Sequence, residues 1–322
     1  MIMKQKKAGL SLGLACMISF LIVICSVVIT TYLCFKEIYA GSCVAYSNSL
    51  IKELDENSFD AKIAHLFYSD EEISNIKNGI QIITEDDTVI NEDGIEIHTI
   101  KGSTFEGQMM IVHDPENVFL AANPNMDSGA AAPSIDDYIE MYDGIGGMNA
   151  GGFEDAGGHG NGGQAWGIVI SDGKLISGNL SDYSTVIGIN SDNMLICKDM
   201  SAKQALDWGI RDGVTFGPVL IDQFQVVFTS GMHPMLNPRS VIGQREDGAF
   251  LLLVVDGRQP HSLGAKYEDI ISIMQEYGAM TAGNLDGGNS SVLMYDGNMI
   301  NTTVSMYGAR NLPTAFIVKD GD

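Results

Sequence analysis

Four short segments of the chain carry residue types that can do chemistry. Asn149-Ala-Gly-Gly152-Phe153 opens a glycine-rich stretch running through Gly163. Glycines there let backbone N–H groups come close to a ligand, and an Asn amide both donates and accepts. The other three are Asn237-Pro-Arg239-Ser-Val-Ile-Gly243, Asp256-Gly-Arg258-Gln259 and Asn284-Leu-Asp286-Gly287-Gly288-Asn289-Ser290-Ser291. Asp256 and Asp286 supply carboxylates for acid–base or nucleophilic work. Arg239 and Arg258 supply planar forks that match phosphate or carboxylate with two hydrogen bonds each. Taken singly, each segment reads equally as structure. Asp-Gly is a common hairpin signal, a glycine-rich stretch is often a tight loop, and His159 can be an acid–base group or an exposed loop residue. The arginines shift the balance: the chain has only five, and Arg239, Arg258 and Arg310 all fall in its final third. Pairing with Asp256 or Asp286 to bury acidic charge is the alternative use, and the two uses are compatible.

No metal signature of the H-E-x-x-H, Cys/His or EF-hand type occurs, so no cofactor is expected, with a divalent cation on the Asp-rich turns left open. Ser290 lies in no G-x-S-x-G elbow, so a serine triad is not supported.

The 322 residues include 41 acidic and 18 basic side chains, for a formal charge of −23, with 45% hydrophobic residues and 37 glycines. Such a body is not drawn to nucleic acid by its field, and an anionic substrate must be captured by a few local cations. Ala8 to Phe35 contains no charged residue. At 1.5 Å per residue it makes about 42 Å of helix, enough to cross a hydrocarbon core of about 30 Å with tilt. Lys4, Lys6 and Lys7 precede it, so residues 1–7 are expected in the cytoplasm and everything after the span outside. The apolar run is too long for a signal-peptide core, although Ala40-Gly41-Ser42 offers a cleavage site; a signal anchor is the preferred reading. Only Cys43 and Cys197 lie beyond the run, enough for one disulfide and not for a disulfide framework.

These motifs need elements to position them. Residues 36–84 read as a helical stalk or membrane-proximal region, with an N-cap at Ser69. From about 85 the apolar period becomes two, and IEIHTIKG, TFEGQMMIV and NVFLAA read as strands of an antiparallel meander. SIDDYIEMYD (134–143) reads as a short capped helix. AFLLLVVDG (249–257) has the continuous apolar run of a strand buried on both faces. KYEDIISIMQEYGA (266–279) is an amphipathic helix. Residues 85–322 are therefore expected to form an α+β domain, a mixed, strand-rich sheet with packed helices, preceded by one transmembrane helix.

In this order and spacing, MNAGGF (148–153), WGIVISDGKL (166–175), FGPVLI (216–221), PRSVIGQREDGAFLLLVVDGRQ (238–259), NLDGGNSSVLMYDG (284–297) and ARNLPTAFIV (309–318) resemble the phosphodiester glycosidase family, some of whose bacterial members are associated with exopolysaccharide. The resemblance runs from about 85 to 320. One position departs: Asn289 stands where the family usually has glycine, and Asn289-Ser-Ser291 is also a glycosylation sequon whose glycan would block the proposed site, which favours a bacterial source. The resemblance implies a hydrolase that cleaves a sugar C1–O bond with a phosphate ester as leaving group. Its substrate would be a cell-surface glycan or sugar-phosphate polymer, and its anchor a single membrane helix. On that basis Asp286 acts at C1 as base or nucleophile and Asp256 assists, or the two exchange roles. Arg239, Arg258, Arg310, Ser290 and the Gly287 and Gly288 amides hold phosphate, Asn149 and Asn284 orient sugar hydroxyls, and Gly152 belongs to the substrate site. A phosphodiesterase breaking P–O, or a surface module that binds glycan without turnover, are the rival readings.

Overall fold

The computed structural model describes residues 12–79, 82–83, 89–90, 94–126, 128–155, 160–229, 235–305 and 308–321. The chain divides into two compact units, Met1–Asn78 and Gly79–Asp322.

The first unit is helical. α1 (Leu12–Ala40) includes a 28-residue stretch, Gly13–Ala40, long and apolar enough to cross a membrane, with an 18-residue segment of mean hydropathy 2.6 in which no residue is buried. α2 (Val44–Lys52), α3 (Phe59–Ala64) and α4 (Asp70–Asn78) follow. Two polar caps set the breaks. Ser58 accepts from the Ala61 amide at the start of α3, and Ser69 exchanges hydrogen bonds with Glu72 at the start of α4. Tyr39, Ile51 and Ala64 form the small core of this unit, with Phe67, Ile73 and Ile76 packed against them.

The second unit confirms the α+β class, but its strands lie in three sheets and every ladder between described strands is antiparallel. The nine-stranded sheet runs β1 (Ile82–Ile83), β3 (Ile95–Lys101), β4 (Glu106–Val112), β15 (Phe250–Val255), β14 (Arg239–Arg245), β16 (Ala279–Leu285), β12 (Val219–Asp222), β13 (Gln225–Val226), with β2 (Val89–Ile90) also on β3. A second sheet orders β10 (Leu195–Ser201), β9 (Tyr183–Asn190), β11 (Ile210–Thr215), β7 (Val169–Ser171) and β8 (Lys174–Ser177). The third orders β18 (Asn298–Met299), β17 (Leu293–Tyr295), β6 (Gly144–Asn149), β19 (Thr314–Lys319) and β5 (Val118–Ala122). The expected meander therefore ends after one hairpin. β3 and β4 pair, but β5 leaves to pair with β19, nearly two hundred residues on.

The main core gathers side chains from all three sheets, among them Leu252 and Val254, Ile187 and Cys197, Met148 and Phe316. Each sheet then covers a second apolar face with one helix. α7 (Tyr267–Glu276) packs Ile270 and Met274 on Leu251 and Leu253. α5 (Ile135–Tyr142), started by a Ser134–Asp137 capping box, packs on Ala315 and Ile317. α6 (Ala202–Asp207) packs on Ile170 and Met200. Neither Cys43 nor Cys197 is in a disulfide, and burial pushes the Cys197 thiol up.

β15 explains its own sequence. Leu252 enters the three-sheet core and Leu253 the α7 face, so neighbouring positions are both fully buried. Leu252→Ala and Leu253→Ala should each cost about 2–5 kcal/mol in urea unfolding. A strand wetted on one face would lose that much at only one of the two.

Candidate active site

Register brings three motifs to one end of the large sheet. β14 is antiparallel to both neighbours, with Arg239 opposite Val255 and Ser240 opposite Leu285. The segment entering β14 thus lies between the exits of β15 and β16, and Asn237-Pro-Arg239, Asp256-Gly-Arg258 and Asp286-Gly-Gly288 meet. The approach is close enough to require glycine. A Cβ on Gly257 would stand 2.5 Å from the Pro238 nitrogen, and one on Gly287 2.7 Å from the Pro238 carbonyl oxygen. The Gly288 amide donates to that same carbonyl at 3.0 Å.

The third sheet is tied to this end by Asn149, the last residue of β6. Its Oδ1 accepts from the Ser240 hydroxyl (2.8 Å) and the Val292 amide (3.1 Å), and its Nδ2 donates to the Asp286 carbonyl. The Asp286 amide donates to Ala150 O at 3.0 Å. Asn149 is fully buried, so it braces the site.

Asp286 sits half-buried just past β16. Burial pushes its carboxyl up to about 6; hydrogen bonds from the Ser290 hydroxyl and the Gly287 amide and the charge of Arg310 oppose this, and Asp155 adds to it. Arg310 is held by Asp155 through two hydrogen bonds of 2.7 and 2.8 Å and lies 4.8 Å from the centre of the Phe153 ring. Asp155 was not foreseen. It lies in the glycine-rich stretch 155 positions before Arg310, and no local pattern links the two.

Arg239 and Arg258 are placed differently. Arg239 is buried, its guanidinium 4.0 Å over the Tyr267 ring and donating to the carbonyls of Ala265 and Met235 at 3.2 Å. Burial pulls its pKa down; Tyr267 and the charge of Glu268 oppose this, and the charge of Arg258 adds to it, so the two guanidinium groups lie within electrostatic reach. Arg258 is exposed, with φ 58°, and donates to Asn289 Oδ1 (2.8 Å) and Asn237 Oδ1 (3.1 Å).

Asp256 faces elsewhere. It is buried, its Oδ1 accepts from Asn301 Nδ2 (3.1 Å) and the Thr302 amide (2.9 Å), and its Oδ2 lies 3.4 Å from His261 Nε2. One strand separates it from Asp286, which puts the two backbones about 10 Å apart at ordinary sheet spacing. The Gly287 and Gly288 amides are also committed, to the Asp286 carboxylate and to Pro238, so neither is a ready phosphate donor. Asn284 spends Nδ2 on Gly217 O (2.9 Å) and Leu285 O (3.0 Å), while its buried Oδ1 has no partner. His159 lies outside the described residues.

Beside these groups opens a cleft of about 350 Å³ lined by Trp166, Thr215, Phe216, Gly217, Phe228 and Tyr267, among others. Tyr267 is the ring beneath Arg239, and Gly217 is the acceptor of Asn284. Gly152 forms the adjoining wall, where a Cβ would meet Phe216 at 2.9 Å and Trp166 at 3.5 Å. Among the described residues no three His, Cys, Asp or Glu side chains gather so as to hold a metal.

A carboxylate with a raised pKa, two arginines and an aromatic-lined cleft thus lie at this end of the large sheet. The phosphodiester glycosidase family model matches residues 142–319, more than half of the chain, and the chain belongs to that family. It is 24% identical over 155 residues to mouse N-acetylglucosamine-1-phosphodiester alpha-N-acetylglucosaminidase, covering 42% of this chain and 30% of the mouse protein. It is 27% identical over 150 residues to the SPbeta prophage-derived protein YomE of Bacillus subtilis strain 168, covering 43% and 23%. The matched region thus spans less than a third of either relative. The fold is like that of the zebrafish N-acetylglucosamine-1-phosphodiester alpha-N-acetylglucosaminidase catalytic domain, with TM-score 0.57 and 18% identity over 75% of this chain and 83% of that one. It is also like a putative exported protein of Burkholderia pseudomallei K96243, with TM-score 0.51 and 14% identity over 68% and 74%.

The brace at Asn149 is directly testable. Asn149→Ala strands the Ser240 hydroxyl, the Val292 amide and the Asp286 carbonyl, and should cost about 3 kcal/mol or more in urea unfolding. A side chain whose role was only to touch substrate would leave stability unchanged.

Proposed function

We propose that residues 79–322 hydrolyse the C1–O bond of a sugar-1-phosphodiester. The observation that carries this reading is the pair Arg239 and Arg258. Arg211, Arg245 and Arg310 each bind an aspartate, whereas these two have no described carboxylate within 4.0 Å and lie near each other. In a chain of net charge −23, such cations are suited to a bound anion.

On this reading the diester phosphate rests on Arg239 and Arg258, and the sugar lies in the adjoining cleft against its aromatic rings. Asn284 Oδ1 is the open acceptor for a sugar hydroxyl. Asp286, steadied by Ser290, acts at C1. As base it takes a proton from the water that attacks C1; as nucleophile it bonds to C1 and water later frees the sugar. Inversion or retention at C1 separates the two. In both courses the C1–O electron pair leaves with the phosphate monoester. That leaving group needs little protonation, so one working carboxylate suffices, and the arginines stabilise the charge it gains. Asp256 then holds the wall of the site rather than sharing the chemistry. α1 serves as a signal anchor, with Lys4, Lys6 and Lys7 on the cytoplasmic side and the catalytic unit outside, facing a surface glycan or sugar-phosphate polymer.

Hydrolysis of defined sugar-1-phosphodiesters in ¹⁸O-water should put the label in the sugar; label in phosphate would mean P–O cleavage. Asp286→Asn should lower kcat about 10³-fold while sparing binding. Full activity in that variant would remove Asp286 from the mechanism.

The pH profile follows from the same residue. The working form of Asp286 is ionised, so kcat/KM should rise with pH through about 6 and then level. Asp155→Asn removes a carboxylate that raises this pKa and frees Arg310 to favour the anion. The rising limb should therefore move below 6. A limb that stays in place or moves up would contradict this coupling.

A further inference from the structure

Arg258 is held in an unusual way for so acidic a chain. Its backbone is in the left-handed region (φ 58°), uncommon for a non-glycine residue, and its side chain is exposed. The outer nitrogens of its fork are each met by a neutral oxygen: Nη1 donates to Asn289 Oδ1 at 2.8 Å and Nη2 to Asn237 Oδ1 at 3.1 Å. The fork lies over Gly288, where a Cβ would be 3.5 Å from Nη2. A guanidinium has five N–H donors, so two fix its direction and three remain for a ligand. Carboxylates at 237 and 289 would grip the fork more strongly, but they would cancel its charge and repel an oxyanion.

We propose that Asn237 and Asn289 form an uncharged clamp that aims Arg258 and keeps its positive charge available, and that Asn289 sets how tightly the arginine pair holds an oxyanion. The inference rests on the assignment of Arg239 and Arg258 to the phosphate. The clamp acts on Arg258 through Asn289 Oδ1 at Nη1 and Asn237 Oδ1 at Nη2. It makes Asn289 a positioning residue for Arg258 rather than a catalytic one.

The order of effects among variants separates this role from a merely structural one. Sulfate is the probe, because it stays a dianion across the working pH range. Its binding to the full chain in detergent is measured by calorimetry, with melting temperatures to confirm equal folding. Asn289→Asp keeps an oxygen on Arg258 but adds a negative charge, and should weaken sulfate about tenfold. Asn289→Gly only loosens the fork and should weaken it about threefold. Asn237→Asp is the second charge variant, with the same expected loss as Asn289→Asp if that one folds poorly. A structural contact would give the reverse order, with aspartate close to wild type and glycine worse. That reverse order, or a wild-type chain that does not bind sulfate, overturns the clamp. Loss of sulfate affinity in the aspartate variants without any glycosidase turnover by the wild type would instead leave the clamp standing and remove the proposed reaction.

Discussion

The site depends on the passage of Pro238 between Gly257 and Gly287. Two antiparallel ladders fix it, one from β14 to β15 and one from β14 to β16, and in both the entry of β14 faces a neighbour's exit. Side chains alternate along a strand, so Arg239 points toward Tyr267 while Ser240 turns to Asn149 on the other face. A slip of one residue would exchange them, burying the cation among the three sheets and exposing the serine. Proline suits the central position because it has no N–H to satisfy where two neighbours press in. Small side chains on either neighbour would push the Arg258 and Asp286 loops away from each other.

Electrostatics builds on that geometry. The charge of Arg310 is largely answered by Asp155, and the same pair acts in opposite senses on Asp286, leaving burial as the main influence on its carboxyl. Arg239 and Arg258 are met directly by carbonyls, amide oxygens and an aromatic ring, and Glu268 acts on Arg239 from beyond contact distance. On the proposed reading, two guanidinium groups with no described carboxylate within 4.0 Å help an anion in and help negative charge depart.

Local signals made much of this visible. β15 declared itself by its unbroken apolar run, α7 by its helical period, and α5 by a serine cap before acidic residues. Long-range pairings were not visible. Nothing near β5 says that it will leave β4 for β19, or near Asp155 that it will meet Arg310. The Asp-Gly pairs show the limit most clearly. Asp172-Gly173 and Asp296-Gly297 are tight turns with positive φ at both residues. Asp256-Gly257 and Asp286-Gly287 are strand exits in which glycine serves close packing instead. The same dipeptide meets both needs, and only the register of distant strands distinguishes them.

The same contrast divides the two candidate carboxylates. Asp256 and Asp286 leave the strands on either side of β14 at the same sheet end, each followed by glycine, and sequence alone left their roles interchangeable. Their partners differ. Asp256 receives Asn301 and the Thr302 amide, and nearby Gln259 Nε2 donates to Thr303 O, so this stretch fastens the 301–303 segment to the end of β15. A buried carboxylate oxygen that already accepts two such donors has little lone-pair capacity left for a substrate. Asp286 has one hydroxyl and one amide, a nearby acidic neighbour, and a pKa within reach of neutral pH. Proton exchange at C1 is a task for a group poised in that way, and a phosphate leaving group removes the need for a second acid. One aspartate that builds and one that reacts therefore fits the chemistry better than a working pair.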